Sequence, residues 1–152
     1  MTPNLKAFLD TIAWSEIGAE LLAKSDNGYN VCVGSTAAHP ILFSSYVSHP
    51  RRHDMATNSD AAGRYQFMGR YWAPYSLQLK LPDFGPASQD RWCVQLIKEC
   101  HALDDIELGH FDKAVSKCTR WASFPGSGCG QHENKIEDLR AVFVRAGGVI
   151  HG

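Results

Sequence analysis

Apolar side chains recur at helical spacing at both ends of this chain, and this pattern limits the folds open to it. Near the N-terminus they fall at positions i, i+3, i+4, i+7 and i+8, which predicts an amphipathic helix. These residues are Leu5, Phe8, Leu9, Ile12 and Ala13. Thr2 and Pro3 suit the start of that helix, as N-cap and first helical residue. Further helical patterns cover 69–79, 86–100, 104–108, 111–118 and 136–146, so we predict a mostly helical chain.

The segment between these patterns has a different character. Residues 29–33 and 41–47 are rich in strand-forming side chains and are bounded by turn residues, which predicts two short strands. Strands that are segregated from helices in this way indicate an α+β fold with a small antiparallel β-sheet. A chain of 152 residues has the length of one domain. Because no linker or repeat interrupts it, we predict a single domain over 1–152.

Composition excludes several classes of protein. With 44% hydrophobic and 20% charged residues, the chain resembles ordinary globular proteins. The formal net charge of −1 argues against nucleic-acid binding. No apolar stretch approaches the roughly 20 residues that span a bilayer, so we expect no membrane insertion. The N-terminus lacks the pattern of a signal peptide, which leads us to expect synthesis and folding in a cytoplasm.

Glu16 is the first candidate for chemistry. It lies at the C-terminal end of the first predicted helix, close to Trp14. Apolar surroundings and the negative end of a helix dipole both raise the pKa of a carboxyl group. A raised pKa is what a general acid needs near neutral pH. The alternative is an exposed acid at a helix end with no chemical role, and the pattern alone leaves both interpretations open.

Other candidate sites are weaker. Residues 126–130 form a glycine-rich segment, but no Gly-Lys-Ser/Thr follows it, so we reject a phosphate-binding loop. The glycine backbone can instead approach a polymer closely and offer its amides. The five cysteines contain no Cys-x-x-Cys motif, and the possible pairing of Cys118 with Cys129 in an oxidising compartment stays open. His49, His53 and Asp54 are better interpreted as surface polar residues than as metal ligands. We therefore expect neither a metal nor another cofactor.

Aromatic residues are numerous for this length. Flat aromatic faces suit sugar rings, and Tyr29, Tyr46 and Tyr65 lie among polar residues where such contacts are possible. Trp72 and Trp92 lie on apolar helical faces, so we predict that they fill the core.

Six segments then occur in one order along nearly the whole chain. They are Ala13-Trp14-Ser15-Glu16; Gly28-Tyr29-Asn30-Val31 with Val33-Gly34; Phe43 with Tyr46 and His49-Pro50-Arg51; Ala62-Gly63-Arg64-Tyr65-Gln66; Asp83-Phe84 with Ser88-Gln89-Asp90; and Trp121-Ala122-Ser123 with Pro125-Gly126 and Gly130-Gln131. Together they resemble the lambda-type bacteriophage endolysins, which are phage lysozymes. Each segment alone is a weak signal, but six in register are highly specific.

The resemblance implies a lysozyme-like α+β fold in two lobes, with a substrate cleft for peptidoglycan between them. It implies cleavage of the β-1,4 bond between N-acetylmuramic acid and N-acetylglucosamine by a lytic transglycosylase, for lysis of the host cell. The catalytic glutamate of the family falls on Glu16. The substrate-binding positions implied by the resemblance are Tyr29, Asn30, Tyr46, Arg64, Tyr65, Gln66, Ser127, Gly128 and Gln131. The family also implies a monomer that needs a holin to pass from the host cytoplasm to the periplasm.

The sequence departs from the family at three of these places. Ile17 follows Glu16 where glycine is common, Asn30 replaces an aspartate after Tyr29, and Cys129 replaces a tyrosine in the glycine-rich segment. Two alternatives to a transglycosylase remain. One is a hydrolysing muramidase in which a second acid such as Glu20 or Asp26 activates water. The other is a cell-wall-binding protein without catalytic activity.

Overall fold

The computed structural model describes all 152 residues and is mostly helical, as the sequence predicts. The chain divides into two compact units. Residues 1–16 and 94–152 form the first, called here the terminal unit, and residues 17–93 form the central unit. The helices are α1 (Pro3–Ile17), α2 (Ala19–Ala23), a 3₁₀ turn (Gly69–Tyr71), α3 (Trp72–Leu79), α4 (Pro86–Glu99), α5 (Leu103–Glu107), α6 (Phe111–Lys117) and α7 (Ile136–Arg145).

Helix α1 is held in the terminal unit by its aromatic residue Phe8, which is fully buried. The ring of Phe8 meets those of Phe111, Phe124 and Phe143 edge to face, at centroid distances of 5.9, 6.1 and 6.5 Å. Such edge-to-face pairs add roughly 0.5–1.5 kcal/mol each beyond the buried area. These contacts hold α1 in place within the terminal unit. Glu16 is the second-to-last residue of this helix.

Helices α4 to α7 begin and end within one residue of the positions predicted from the sequence. The predicted helix over 69–79 begins instead as a 3₁₀ turn and becomes α-helical at Trp72. Pro74 is the third residue of α3, so its missing amide falls in the first turn, where no helical hydrogen bond is lost. The last helix stops before Gly147, whose φ of 101° is left-handed.

The predicted antiparallel sheet is not confirmed. Isolated antiparallel bridges occur in its place, such as those that join Val31 to Leu42 and Cys32 to Ala62. Turns with positive φ interrupt the segment at Gly28, Gly34 and Arg51 and leave no run of paired residues between them. The side chain of Ser35 also takes up backbone groups, since its hydroxyl bonds both the amide and the carbonyl of Ile41. Strand-forming residues are therefore present, but the turns keep the pairing to single bridges.

The core of the central unit is aromatic and is centred on Trp92, which is 1% exposed. Phe67 stacks on Trp92 at 4.0 Å, and Trp72 is only partly buried but tilts against it at 5.9 Å. The predicted core positions of Trp72 and Trp92 thus both pack in this cluster. None of the helices has the length and apolar character that crossing a membrane requires.

The interpretation of His49, His53 and Asp54 as surface polar residues is wrong for His49. It is 3% exposed. Its Nδ1 accepts the amide of Arg51 at 2.9 Å, so Nε2 carries the proton and donates to the carbonyl of Phe67 at 2.7 Å. Burial lowers the pKa of His49, which favours this neutral ring.

The cysteines are all reduced, and their positions predict which pair oxidises first. Cys118 is buried and hydrogen-bonds Cys100, whereas Cys129 is exposed. The bond from Cys118 and the charge of Arg120 lower the pKa of Cys100, so we expect its thiolate to attack glutathione disulfide. One glutathione leaves, and the other stays bonded to Cys100 as a mixed disulfide. Cys118 then displaces this second glutathione and closes a Cys100–Cys118 disulfide. Peptide mapping by mass spectrometry should find this link in wild type and in Cys129→Ser; a Cys118–Cys129 link would contradict the prediction.

Candidate active site

Glu16 lies in the terminal unit, one residue before the end of α1, and its side chain is partly buried. Burial raises its pKa from 4.5 to about 7, and a hydrogen bond from Ser123 acts in the opposite direction. The direction matches the sequence prediction, but the cause is loss of solvent around the carboxyl group. A carboxyl group with this pKa is present in both protonation states near neutral pH. It is therefore able to give a proton and to take one back.

Three polar side chains support Glu16 from within the same unit. The hydroxyl oxygens of Ser15 and Ser123 lie 2.7 Å apart, and both residues are buried. The amide of Asn134 donates to the hydroxyl and to the carbonyl oxygen of Ser15, at 2.9 and 3.1 Å. The backbone amide of Asn134 also donates to the carbonyl of Ser123 at 2.8 Å. Sequence analysis missed Asn134, although Ser15 and Ser123 stand in two of the segments that carry the resemblance.

The glycine-rich loop belongs to the terminal unit, and its amides are already occupied. Glu133 accepts the amides of Gly126 and Gly128, at 2.9 and 3.1 Å. The hydroxyl of Ser127 donates to the carbonyl of Ala122 at 2.6 Å. The expectation that these amides are available to a polymer is therefore wrong for Gly126 and Gly128. The substrate contacts assigned to Ser127, Gly128 and Gln131 stay predictions, and of these Gly128 and Gln131 are exposed.

Removal of the carboxylate that holds this loop predicts a local change. In Glu133→Ala, we expect the amides of Gly126 and Gly128 to exchange with solvent several-fold faster, because both lose their acceptor. Amide hydrogen exchange followed by NMR measures this directly. Glu137→Ala is the matched control, since Glu137 is an exposed acid in the first turn of α7. Equal exchange rates in wild type and Glu133→Ala would show that Glu133 does not hold the loop.

The central unit contains the remaining predicted residues, and a buried glutamine organises them. Gln89 is fully buried, and its carbonyl oxygen accepts the amide of Arg64 at 2.9 Å. Its amide donates to the carbonyl oxygens of Tyr29 and Phe84, at 2.9 and 2.8 Å. Gly63 has a φ of +86°, and a Cβ there would lie 2.4 Å from the Gln89 carbonyl oxygen. The turn from Gly63 to Gln66 thus requires glycine at its start and Gln89 behind it.

Tyr29 and Tyr65 share one acceptor in the central unit. Their hydroxyls donate to the same carboxylate oxygen of Asp90, at 2.9 and 2.6 Å. Arg64 donates to the hydroxyl of Tyr65 at 2.9 Å. Burial is the main reason that the pKa of Tyr29 rises to about 12, so its hydroxyl keeps its proton and stays a donor. Sequence analysis quoted Asp90 only as part of a family segment and missed this role.

Burial separates the predicted sugar contacts of the central unit into two groups. Arg64 and Tyr65 are 5% and 1% exposed, which suits them to support Tyr29. Tyr29, Asn30, Tyr46 and Gln66 are partly exposed. Tyr46 donates to Asp26 at 2.5 Å, Asn30 accepts the amide of Asp26, and Gln66 donates to the carbonyl of Gly63. Direct contact with substrate stays a prediction for all six.

Comparison with known proteins identifies the family. A sequence profile of the Endolysin family matches residues 6–150. The chain belongs to the endolysin family. This endolysin is 43% identical to the endolysin of Escherichia phage P2 over 155 residues, covering 96% of this chain and 94% of that protein. It is 44% identical to the endolysin of Escherichia phage lambda over 150 residues, covering 95% of this chain and 92% of the relative.

Solved structures give the fold of this endolysin. The structure of bacteriophage lambda lysozyme complexed with a chitohexasaccharide superposes with a TM-score of 0.89 at 41% identity, covering 99% of this chain and 98% of the other. A second structure of lysozyme from bacteriophage lambda gives a TM-score of 0.85 at 39% identity, with the same coverage. The endolysin therefore has the lambda lysozyme fold. Glu16 and the glycine-rich loop come from its terminal unit, and the Tyr29 and Gly63–Gln66 regions from its central unit.

Proposed function

We propose that this endolysin is a lytic transglycosylase that cleaves the β-1,4 bond between N-acetylmuramic acid and N-acetylglucosamine. Its family makes it a lysozyme-like glycosidase that degrades peptidoglycan. The finer assignment concerns what attacks the anomeric carbon of the muramic residue. In a hydrolase the attacking group is water, whereas in a transglycosylase it is the 6-hydroxyl of the same sugar.

The observation that carries the proposal is the state of Glu16. Its pKa of about 7 suits a general acid, and the hydrogen bond from Ser123 favours its anion. Most glycosidases use two carboxyl groups, one as acid and the other as nucleophile or base. A transglycosylase needs one carboxyl group that serves twice. A group that is stable in both protonation states near neutral pH meets that requirement.

The reaction then proceeds in two proton transfers. Protonated Glu16 gives its proton to the glycosidic oxygen as the bond to the anomeric carbon breaks, and N-acetylglucosamine leaves with a new hydroxyl. The Glu16 carboxylate then takes the proton of the muramic 6-hydroxyl as that oxygen bonds to the anomeric carbon. The product is a 1,6-anhydro ring, and Glu16 ends protonated, ready for the next cleavage. No water is consumed.

The sugar contacts are part of this proposal. Lambda lysozyme has been solved with a chitohexasaccharide. We propose that Tyr29, Asn30, Tyr46 and Gln66 contact the glycan in this endolysin, with Arg64 and Tyr65 behind them. Ser127, Gly128 and Gln131 are proposed as contacts from the glycine-rich loop, with Ser127 acting through its backbone carbonyl because its hydroxyl bonds Ala122 and its amide bonds Phe124.

Product analysis tests the proposal. Purified peptidoglycan is digested to completion, and the masses of the new muramic ends are determined by mass spectrometry. The proposal predicts anhydro ends, each lighter by one water than a reducing end. A parallel digest with a hydrolysing muramidase gives the reducing ends for comparison. Reducing ends in both digests would establish the hydrolysing alternative, and peptidoglycan that retains the protein but stays uncut would support a wall-binding protein.

The biological setting is proposed from the family resemblance. The endolysin collects in the host cytoplasm as a monomer that functions as one domain over 1–152. A holin then opens the inner membrane, and the enzyme reaches the peptidoglycan of the periplasm. Turbidity of a suspension of intact Gram-negative cells should fall on addition of the enzyme only after their membranes are permeabilised.

A further inference from the structure

We propose that Asn134, Ser15 and Ser123 form a hydrogen-bond chain of fixed direction that ends on the carboxyl group of Glu16 and positions it for proton transfer. This inference rests on the proposed function, because it assigns a role beside the proton donor of that reaction. The three residues come from the segment before α7, from α1 and from the segment before the glycine-rich loop. All belong to the terminal unit.

The direction of the chain follows from its two ends, of which Asn134 is the first. The side-chain amide nitrogen of Asn134 lies 3.1 Å from the carbonyl oxygen of Ser15, which is able only to accept. This contact fixes the orientation of the amide group. The same nitrogen donates to the hydroxyl oxygen of Ser15 at 2.9 Å. Ser15 is therefore an acceptor from Asn134, and its own proton is available for Ser123.

The second and third steps complete the chain. The hydroxyl oxygens of Ser15 and Ser123 lie 2.7 Å apart, and either is able to donate. The hydrogen bond of Ser123 to Glu16 favours the carboxylate, as a donor does, so the Ser123 proton is engaged there and we assign the proton between the two serines to Ser15. Ser15 and Ser123 are 9% and 8% exposed, so little water competes for these hydroxyls.

The chain has a chemical consequence for Glu16. Burial favours the protonated form, whereas a hydroxyl that points at the carboxyl group favours the anion. Because these two effects oppose each other, the Glu16 carboxyl group is able both to release its proton and to take one back, as the two proton transfers of the proposed reaction require. Without Ser123, burial acts unopposed and Glu16 holds its proton more tightly. Ser123 and Asn134 are thus positioning residues that act through Glu16.

Direct titration of Glu16 tests the inference. The carboxyl carbon of Glu16 is followed by ¹³C NMR against pH in wild type, Ser123→Ala and Asn134→Ala. We expect the pKa to rise by about one unit in Ser123→Ala, since a hydrogen bond to a charged group is lost. A smaller rise is expected in Asn134→Ala, where Ser123 keeps its hydroxyl but loses its fixed orientation. Ser116→Ala is the control, because the Ser116 hydroxyl donates only to its own helix.

The outcomes separate this inference from the proposed function. An unchanged titration of Glu16 in Ser123→Ala would overturn the chain even if the products carry anhydro ends. Reducing ends together with a shifted titration would overturn the transglycosylase assignment and keep the chain. In Ser123→Ala, the high-pH limb of the kcat/KM profile should move to higher pH by the same amount as the pKa measured by NMR. A purely structural role of Ser123 would not cause this shift. If Ser123→Ala does not fold, Asn134→Ala decides by the same readout.

Discussion

Replacing Glu16 by glutamine is expected to slow peptidoglycan cleavage by roughly 100-fold to 10,000-fold, the range that general acid catalysis contributes. The amide has nearly the shape of the carboxyl group but has no proton to give to the glycosidic oxygen. Turbidity clearing of permeabilised Gram-negative cells measures the rate. Glu137→Gln, an exposed change on α7, should clear cells at the wild-type rate. Clearing by Glu16→Gln at the wild-type rate would remove Glu16 from the mechanism.

The same substitution is expected to change how stability depends on pH. The pKa of Glu16 is raised by burial from 4.5 to about 7, so the folded protein binds more protons than the unfolded chain between these values. The stability that Glu16 contributes to wild type is therefore lost as pH rises through this window, and Glu16→Gln has no such contribution to lose. At pH 8 the variant should be more stable by about 2–3 kcal/mol, a difference that vanishes near pH 4. Urea unfolding at both pH values measures this, and equal stabilities at pH 8 would contradict the raised pKa.

Gln89→Leu is expected to lower the free energy of unfolding by about 3–5 kcal/mol. Gln89 is fully buried and satisfies the amide of Arg64 and the carbonyl oxygens of Tyr29 and Phe84. Leucine fills much of the space but leaves these groups without partners, each at a cost of about 1–3 kcal/mol. The turn that begins at Gly63 loses its support at the same time. Peptidoglycan cleavage should fall with it, even in conditions where the variant is folded.

The matched control is Gln95→Leu on the same helix. Gln95 donates only to the exposed carboxylate of Glu99, so we expect its replacement to change the free energy of unfolding by less than about 0.5 kcal/mol. Urea unfolding with equal m-values in all three proteins makes the comparison valid. A loss below about 1 kcal/mol in Gln89→Leu would show that water or backbone shifts replace the three hydrogen bonds.

The helices could be predicted from the sequence because their signals are local. Pro86 marks the start of α4, Gly147 follows the end of α7, and apolar spacing defines the buried faces between. The strands could not be predicted reliably. Strand-forming side chains indicate a preference for extended backbone, but they do not identify the segment with which that backbone pairs. Residues 29–33 lie between turns with positive φ at Gly28 and Gly34, and their backbone hydrogen bonds are divided between residues 41–43 and 61–63. Long-range geometry of this kind is absent from local sequence.

The candidate site shows the same division. The pattern made Glu16 a candidate, because it placed an acid beside apolar residues at a helix end, and the resemblance of the six segments then singled it out. Its partner Ser123 and the orienting Asn134 lie more than 100 positions away along the chain, and only folding brings them to α1. Likewise, Glu133 follows the glycine-rich loop closely, yet nothing in the spacing shows that its carboxylate occupies the loop amides. Side chains that support other side chains are visible only once the fold brings them together.

We propose that Glu16 acts as acid and then as base while the substrate supplies its own nucleophile. The most direct test is digestion of peptidoglycan in water enriched in heavy oxygen, followed by mass spectrometry of the newly formed muramic ends. A hydrolysing muramidase run beside it shows the incorporation that water attack produces. We expect the endolysin to incorporate no heavy oxygen and to leave anhydro ends. Muramic ends that carry one heavy oxygen would contradict it, because water would then be the attacking group.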